Sequence, residues 1–193
     1  MRELRETILR QGQCVGDSIV KVDMFLNHRL DTRLMVAMGR ELADYFGKDK
    51  PDIVLTVEAS GIALALAAAH FLDDIPVVFA KKSPAANQSA DMLTAVAHSF
   101  THGNDNALRV DRRYLPAGSR VLVVDDFLAD GEASRALISI VEQAGCTLVG
   151  VGIAVEKGFQ PGGRKLREAG VNLKSLAIVT SIQDGRIQLA DDD

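Results

Sequence analysis

Two adjacent carboxylates at the end of a hydrophobic run are the strongest chemical signal in the sequence. Val121–Val124 is followed by Asp125 and Asp126, and residues 127–133 then form a short loop that leads into a helical pattern. Ligands of open α/β sheets bind at the carboxyl ends of the strands. Carboxylates there can accept hydrogen bonds from sugar hydroxyls, while loop N–H groups and a helix N-terminus can hold a phosphate. The pattern therefore predicts a site for a phosphorylated sugar, although an isolated Asp-Asp pair more often caps a turn.

Two further strand ends carry residues suited to anions. The turn Glu58–Gly61 follows the run Ile53–Val57 and opens a helical stretch, so its backbone N–H groups can face an anion. Lys81 and Lys82 follow the run Val77–Ala80. Taken singly, a turn of this kind serves as often to pack a helix on a strand as to bind an anion. A lysine pair lies as often on a solvated surface as in a binding site. Combined with the carboxylate pair, they favour one site for a ligand rich in phosphate.

Composition and charge narrow the class of protein. The chain has 193 residues, of which 47% are hydrophobic and 25% are charged, as is typical of a single globular domain. Its net charge of −4 supplies no positive field for a nucleic acid backbone. The apolar stretch 61–72 is shorter than the roughly 20 residues of a membrane-spanning helix, and the first residues have no apolar leader. We therefore expect neither a nucleic acid nor a membrane as a partner.

The cysteines and histidines show no metal-ligand spacing. Cys14 and Cys146 stand alone, which fits the reducing cytoplasm and argues against structural zinc. His70, His98 and His102 are equally isolated. We expect a cytoplasmic protein that has no metal site of its own.

Strands and helices must alternate to position these residues. Helical spacing predicts a helix over Arg2–Gln11 and a second one that Asp31 caps and Gly47 ends. Continuous apolar runs, typical of strands buried on both faces, alternate with further helical patterns. Such alternation predicts an α/β fold with a mainly parallel sheet and flanking helices. The predicted strands are Ile53–Val57, Val77–Ala80, Arg120–Val124 and Thr147–Val155, and the predicted helices between them are Gly61–Leu72 and Glu132–Ala144.

Residues 81–111 interrupt this alternation. Lys81–Asp91 is polar, whereas Met92–Phe100 and Ala107–Asp111 have strand patterns on either side of a turn. We predict a long mobile loop that leads into an antiparallel hairpin, and loops of that length are usually functional. A second hairpin is predicted around Asp184-Gly185, close to the end of the chain.

Residues 121–133 resemble the signature of the type I phosphoribosyltransferases, which consists of an apolar strand, an acidic pair and a small-residue loop. Within that family, Lys21–His28 and Glu156–Gly162 are similar to the bacterial members that use xanthine, and the similarity covers essentially the whole chain. The resemblance implies one domain over residues 1–193. Its core would span about 50–157, and a small hood would be built from about 1–35 and 158–193.

The resemblance also implies an activity in purine salvage. The 5-phosphoribosyl group would pass from 5-phosphoribosyl 1-pyrophosphate, the donor, to N9 of xanthine, giving xanthosine 5′-monophosphate and pyrophosphate. Mg²⁺ would be bound mainly through the oxygens of the donor. The enzyme would be a homodimer. The loop Lys82–Leu93 would act as a lid that closes over bound donor and Mg²⁺, because the reacting sugar must be shielded from water.

Site residues follow from the same resemblance. Asp125 and Asp126 would contact the ribose hydroxyls. Asn27 can both donate to and accept from an oxopurine edge, whereas Lys157 only donates, which suits an exocyclic oxygen and disfavours the amino group of adenine. The purine would lie against Val20, Asn27, Phe127 and Lys157. The donor would be bound by Ala129, Asp130, Gly131, Glu132, Ala133, Glu58, Ala59, Ser60, Gly61, Lys81 and Lys82.

The phosphate loop departs from the family pattern at two positions. Asp130 and Glu132 stand where family members commonly have a hydroxyl, an amide or glycine, and carboxylates beside a phosphate should repel it. The conflict is smaller if their side chains point outward and only the backbone faces the phosphate. The departure therefore bears on affinity for the donor.

Three alternatives remain open. The closest is the same reaction on guanine, hypoxanthine or adenine. A non-catalytic sensor of purine or donor is another, although residues 1–50 contain no helix-turn-helix pattern or basic patch of the kind that purine-responsive regulators append. A signalling receiver is disfavoured, because a receiver that begins at Arg120 has too little chain left for five βα units.

Overall fold

Five helices and ten strands make up the part of the chain that the computed structural model describes, which is residues 1–16, 18–83, 91–98 and 105–191. The helices are α1 (Arg2–Gln11), α2 (Thr32–Phe46), α3 (Gly61–His70), α4 (Glu132–Gln143) and α5 (Gly162–Glu168). The strands are β1 (Gln13–Val15), β2 (Ile19–Lys21), β3 (Ile53–Val57), β4 (Val77–Ala80), β5 (Met92–His98), β6 (Asp105–Asp111), β7 (Arg120–Leu128), β8 (Thr147–Lys157), β9 (Leu173–Gln183) and β10 (Arg186–Leu189). One π-helical turn covers Asp23–Asn27, and 3₁₀ turns cover Gly47–Asp49 and Arg112–Tyr114.

The centre of the fold is a six-stranded sheet in the order β10-β9-β8-β7-β3-β4. Its strands are parallel except β10, which is antiparallel to β9 at the edge. From β3 the chain first adds β4 on one side and later crosses to add β7 on the other. The carboxyl ends of β3 and β7 therefore flank the point where the strand order reverses, which is where open α/β sheets bind their ligands.

Helices cover both faces of this sheet, which confirms the predicted α/β fold. One apolar core packs α1, α2 and α3 on one face, and a second core packs α4, α5 and the β5–β6 hairpin on the other. All five residues of β3 are buried, as its continuous apolar run predicts. The Asp31 side chain accepts a hydrogen bond from the backbone of Leu34 (3.1 Å) and caps α2 as expected.

Strand β7 extends further than the sequence predicts. The predicted strand ended at Val124, whereas β7 continues through both aspartates to Leu128. The reason is pairing with β8, which itself continues to Lys157 and places Leu128 opposite Glu156. Asp125 and Asp126 therefore lie within a strand and not in the loop after it.

The predicted hairpins are present. Strands β5 and β6 are antiparallel, and β9 and β10 are joined by Asp184 and Gly185, both with positive φ (50° and 70°). The middle of the predicted lid, residues 84–90, lies outside the described residues. None of the described helices has the length and apolar character to cross a membrane.

The division into a core and a hood stays a prediction. The short antiparallel hairpin of β1 and β2 lies next to β10, and α1 packs on β9 and β10. The C-terminal half of the predicted hood is also part of the central sheet, because β9 pairs with β8 along its length.

Candidate active site

A cavity of about 290 Å³ lies at the carboxyl ends of β3 and β7. It brings together residues from the three strand ends that the sequence singled out. Glu58 and Ser60 follow β3, and Lys82 follows β4. Residues 125–134, from the end of β7 to the first turn of α4, form the remaining wall, together with Val57, Ala97 and Leu108.

The two aspartates are almost completely buried, with 5% of Asp125 and 6% of Asp126 exposed. Asp126 accepts hydrogen bonds from the Ser60 hydroxyl (2.9 Å) and from the Asn27 amide (3.3 Å). Asp125 Oδ1 accepts from the backbone N–H of Asp126 (2.9 Å). Asp126 thus joins the turn after β3 to the π-helical turn before α2.

Burial raises the pKa of Asp125 well above its ordinary value, the charge of Asp126 raises it further, and the nearby Lys82 lowers it. Two carboxylates side by side in a poorly solvated place resist carrying two charges. Asp125 therefore keeps its proton to a higher pH than an ordinary aspartate does. A cation or sugar hydroxyls next to the two carboxylates would offset their mutual repulsion and their loss of solvation.

Helix α3 starts directly against the carboxylates. A Cβ at Gly61 would contact the Thr56 hydroxyl and come within 2.8 Å of Asp125 Oδ1, so no larger residue fits there. Ala59 and Gly61 complete the turn without lining the cavity, and the peptide between Glu58 and Ala59 is cis. The small residues of this turn allow the helix N-terminus to approach the aspartates.

Of the two predicted lysines, Lys82 lines the cavity. Its backbone N–H donates to Glu58 Oε1 (2.6 Å), and its carbonyl accepts from Arg109 Nη1 (3.1 Å). Lys81 instead pairs through its backbone with Arg109 of β6 (2.9 Å in both directions). Sequence reasoning missed Arg109, because nothing local indicates that β6 lies beside this strand end.

The predicted phosphate loop, Ala129–Ala133, lines the cavity along its whole length. Gly131 stands before α4 with φ +83°, a conformation that favours glycine. Arg135 forms an ion pair with Glu132 and donates to the Asp130 carbonyl (3.1 Å). The pairing of Glu132 reduces the repulsion that an acidic residue would exert on a phosphate. The three-residue spacing of Glu132 and Arg135 on a helix is a signal from which this pair could have been predicted.

Of the residues predicted to hold a purine, Phe127 lines the cavity, Asn27 donates to Asp126, and Lys157 and Val20 do not line the cavity. Lys157, at the end of β8, places Nζ 5.8 Å from the centre of the Phe127 ring and 3.4 Å from the carbonyl of Ser18. Burial lowers the pKa of Lys157, and attraction to Asp130 partly opposes that effect. Val20 is buried in the core against which Phe127 packs. An aromatic ring that lines the cavity and a cationic donor thus lie next to each other.

Within the described ranges, no three His, Cys, Asp or Glu side chains come together in a group that could hold a metal ion. The cavity does present two adjacent carboxylates. Mg²⁺ is commonly bound by one or two carboxylates together with substrate phosphates and waters. The donor set therefore fits a magnesium ion that arrives with a phosphorylated substrate.

A family model of the phosphoribosyl transferase domain matches residues 27–184, which include the five parallel strands of the central sheet and both aspartates. The chain belongs to the phosphoribosyltransferase family. It is 45% identical to xanthine phosphoribosyltransferase 1 of Clostridium perfringens over 187 residues, which cover 97% of this chain and 98% of that protein. It is also 45% identical to the xanthine phosphoribosyltransferase of Clostridioides difficile over 188 residues, 97% of this chain and 99% of that protein.

The fold is also similar to solved members of the family. The crystal structure of adenine phosphoribosyltransferase from Rhodothermus marinus superposes with a TM-score of 0.74 at 23% identity, over 93% of this chain and all of that one. This likeness supports the sheet topology. The roles of individual site residues stay predictions that rest on the geometry above.

The raised pKa of Asp125 predicts a specific pH dependence of stability. Below about pH 4, the ordinary range of an aspartate, Asp125 is protonated in both the folded and unfolded states. Its ionisation then makes no contribution to the free energy of unfolding. As the pH rises towards the raised native pKa, the unfolded state loses the proton more readily, so the folded state loses stability. We expect Asp125→Asn to increase the free energy of unfolding of the ligand-free protein at pH 7, with a gain that vanishes towards pH 4.

Chemical denaturation between pH 4 and pH 8 measures this difference. Asp44→Asn, at an exposed position of α2, is the control for the loss of one carboxylate. An advantage of Asp125→Asn that is equal at pH 4 and pH 7 would contradict the assignment.

Proposed function

We propose that this chain transfers the 5-phosphoribosyl group from 5-phosphoribosyl 1-pyrophosphate to N9 of xanthine, with release of pyrophosphate and formation of xanthosine 5′-monophosphate. The observation that carries the proposal is the buried carboxylate pair, which shares one cavity with the phosphate loop and Lys82. The names of the two bacterial relatives, both xanthine phosphoribosyltransferases, support xanthine as the base.

The cavity matches the three parts of the donor. The backbone of Ala129–Ala133 at the start of α4 suits the 5-phosphate. Asp125 and Asp126 suit the ribose hydroxyls that lie next to it along the donor. Lys82 and the turn Glu58–Gly61 suit the pyrophosphate, since they lie at the other strand ends.

The base end favours an oxopurine. Lys157 can donate to an exocyclic oxygen and cannot accept from an amino group. Its lowered pKa follows from burial, so a ligand oxygen in this place would replace solvation that the lysine has lost. The Phe127 ring offers an apolar face on which a flat base can stack.

The chain's residues position the reactants and supply no covalent nucleophile. The bond from ribose C1 to the pyrophosphate oxygen breaks, and its electron pair leaves with pyrophosphate. The bond from N9 to C1 forms, and the proton on the imidazole ring of xanthine is released to solvent. The buried carboxylates lie where positive charge develops on the sugar. When bound through the donor, Mg²⁺ would offset the charge of the departing pyrophosphate, with Asp125 and Asp126 as the protein groups that could hold its waters. A homodimer, implied by the family resemblance, and a cytoplasmic location, expected from the isolated cysteines, are part of this proposal.

Xanthine should be the best acceptor. A pyrophosphate-release assay with the donor, Mg²⁺ and each of xanthine, guanine, hypoxanthine, adenine and orotate compares kcat/KM values. If adenine or orotate reacted faster than xanthine, the base assignment would be wrong and the reaction class would survive. Donor binding without pyrophosphate release from any base would favour a sensor.

Lys157→Met should lower kcat/KM for xanthine by about 10- to 100-fold, because a charge-assisted hydrogen bond to the base is lost. The matched control is Lys48→Met, since Lys48 also lies over an aromatic ring, 5.3 Å from that of Tyr45, and at the opposite end of the sheet. Equal effects of the two substitutions would show that Lys157 does not contact the base.

Asp125→Asn and Asp126→Asn should each lower kcat/KM by about 10²-fold, because a preorganised charge at the ribose is removed. The shape of the side chain is kept, so folding should persist, as circular dichroism can check. Asp44→Asn serves as the control. Full turnover of both variants at saturating donor would mean that the aspartates have only a structural role.

A further inference from the structure

An ion pair behind the cavity has no part in the roles assigned so far. The Glu156 carboxylate, 3% exposed, lies at the end of β8 and accepts two hydrogen bonds from Arg167 of α5, each 2.7 Å long. The Ser175 hydroxyl of β9 donates a third one of 2.5 Å. The hydrogen bond to Glu156 raises the pKa of Arg167. A paired, bidentate contact of this kind holds the helix and the strand in one relative position.

Two glycines at the start of α5 connect this pair to the phosphate loop. A Cβ at Gly163 would overlap Oε1 of Glu156. A Cβ at Gly162 would overlap the Ala129 carbonyl and lie 2.7 Å from the nitrogen of Gly131. One glycine therefore packs on the ion pair while its neighbour packs on the loop, with no side chain between them to absorb a shift.

The contact with the loop orients its peptide groups. The N–H of Gly162 donates to the Ala129 carbonyl (3.0 Å), which turns that carbonyl towards α5. In a planar trans peptide the N–H points opposite to the carbonyl, so the N–H of Asp130 points away from α5. Arg135 holds the next carbonyl, that of Asp130, in the same way (3.1 Å). Both carbonyls, which would repel a phosphate, are thus held by donors and turned away from the N–H groups that could bind one.

Helix α5 depends on contacts with the rest of the fold to stay in position. It has seven residues and begins with two glycines, so it has little helical stability of its own. Its position depends on the burial of Leu166 and on the Glu156–Arg167 pair. The pair therefore sets where the N–H of Gly162 stands relative to the loop.

We propose that Glu156 and Arg167 are positioning residues for the phosphate loop and act on it through the first turn of α5. The inference rests on the proposed function in one respect, the assignment of Ala129–Ala133 to the 5-phosphate of the donor. Loss of the pair lets α5 and the Ala129 carbonyl move, and a displacement of the loop by a fraction of an ångström weakens phosphate binding. The pyrophosphate end, which is built by other strand ends, keeps its affinity.

The test compares Arg167→Met and Glu156→Gln with the wild type. We expect the KM for the donor and the Kd for ribose 5-phosphate, measured by calorimetry, to rise about tenfold, because small displacements of positioning groups have effects of that order or larger. The Kd for pyrophosphate and the kcat at saturating donor should stay within about twofold of the wild type. The matched control is Arg164→Met on the same helix, since Arg164 pairs only loosely with Glu168 (4.0 Å) at the surface. It should leave both dissociation constants unchanged.

A double variant separates positioning from stability. Arg167→Met alone leaves a buried carboxylate without its partner and is expected to lower the melting temperature. Glu156→Gln combined with Arg167→Met leaves no unpaired buried charge, and it carries the test if the single variant does not fold. Because the two residues act as one unit, the double variant should raise the Kd for ribose 5-phosphate no more than either single variant.

Two results would overturn the inference. One is a folded double variant whose Kd for ribose 5-phosphate equals that of the wild type. The other is an equal rise in the dissociation constants for ribose 5-phosphate and pyrophosphate, which would indicate that the whole site has lost rigidity. Failure of the proposed function is distinguishable, because it would appear in the wild type as a lack of turnover with xanthine, whereas the ribose 5-phosphate measurement needs no base.

Discussion

The burial of two adjacent carboxylates at the end of β7 is the constraint on which the site depends. Charged groups lose solvation when buried and persist only where hydrogen bonds or opposite charges replace it. The surrounding elements supply those contacts: Ser60 from the turn after β3, Asn27 from the π-helical turn, and the charge of Lys82 from the end of β4. Segments that are far apart in the chain are thereby drawn to one point.

Hydrogen bonds to neighbouring residues hold the backbone of the cavity walls in place. The Lys82 backbone is bonded by Glu58 on one side and by Arg109 on the other. The phosphate loop has its carbonyls bonded by Gly162 and Arg135. Binding groups that are already fixed in place lose little freedom when a ligand arrives, so more of the interaction energy is available for binding and for the transition state.

The loop Ala129–Ala133 carries two carboxylates next to a predicted phosphate position, and the fold supplies cations that interact with both. The Glu132 carboxylate is paired with Arg135, and Asp130 attracts Lys157. Both carboxylates therefore interact with cations, although they stand next to a predicted phosphate position. The charge of Asp130 also links this loop electrostatically to Lys157, an interaction that glycine or a hydroxyl at position 130 would not provide.

Local patterns in the sequence predicted the helices α1 to α4, the strands β3, β4, β7 and β8, the Asp31 cap, the two hairpins and candidate site residues at the ends of β3, β4 and β7, but not the helix α5. They suffice because apolar runs, capping residues and turn residues act over a few neighbouring positions. Tertiary structure alone decided that β7 continues through both aspartates to Leu128, since that depends on pairing with β8. It also decided that Lys82 rather than Lys81 faces the cavity, that Arg109 holds this strand end, and that Glu156 pairs with Arg167. Each of these contacts joins residues whose proximity follows from strand order and register, which no local pattern encodes.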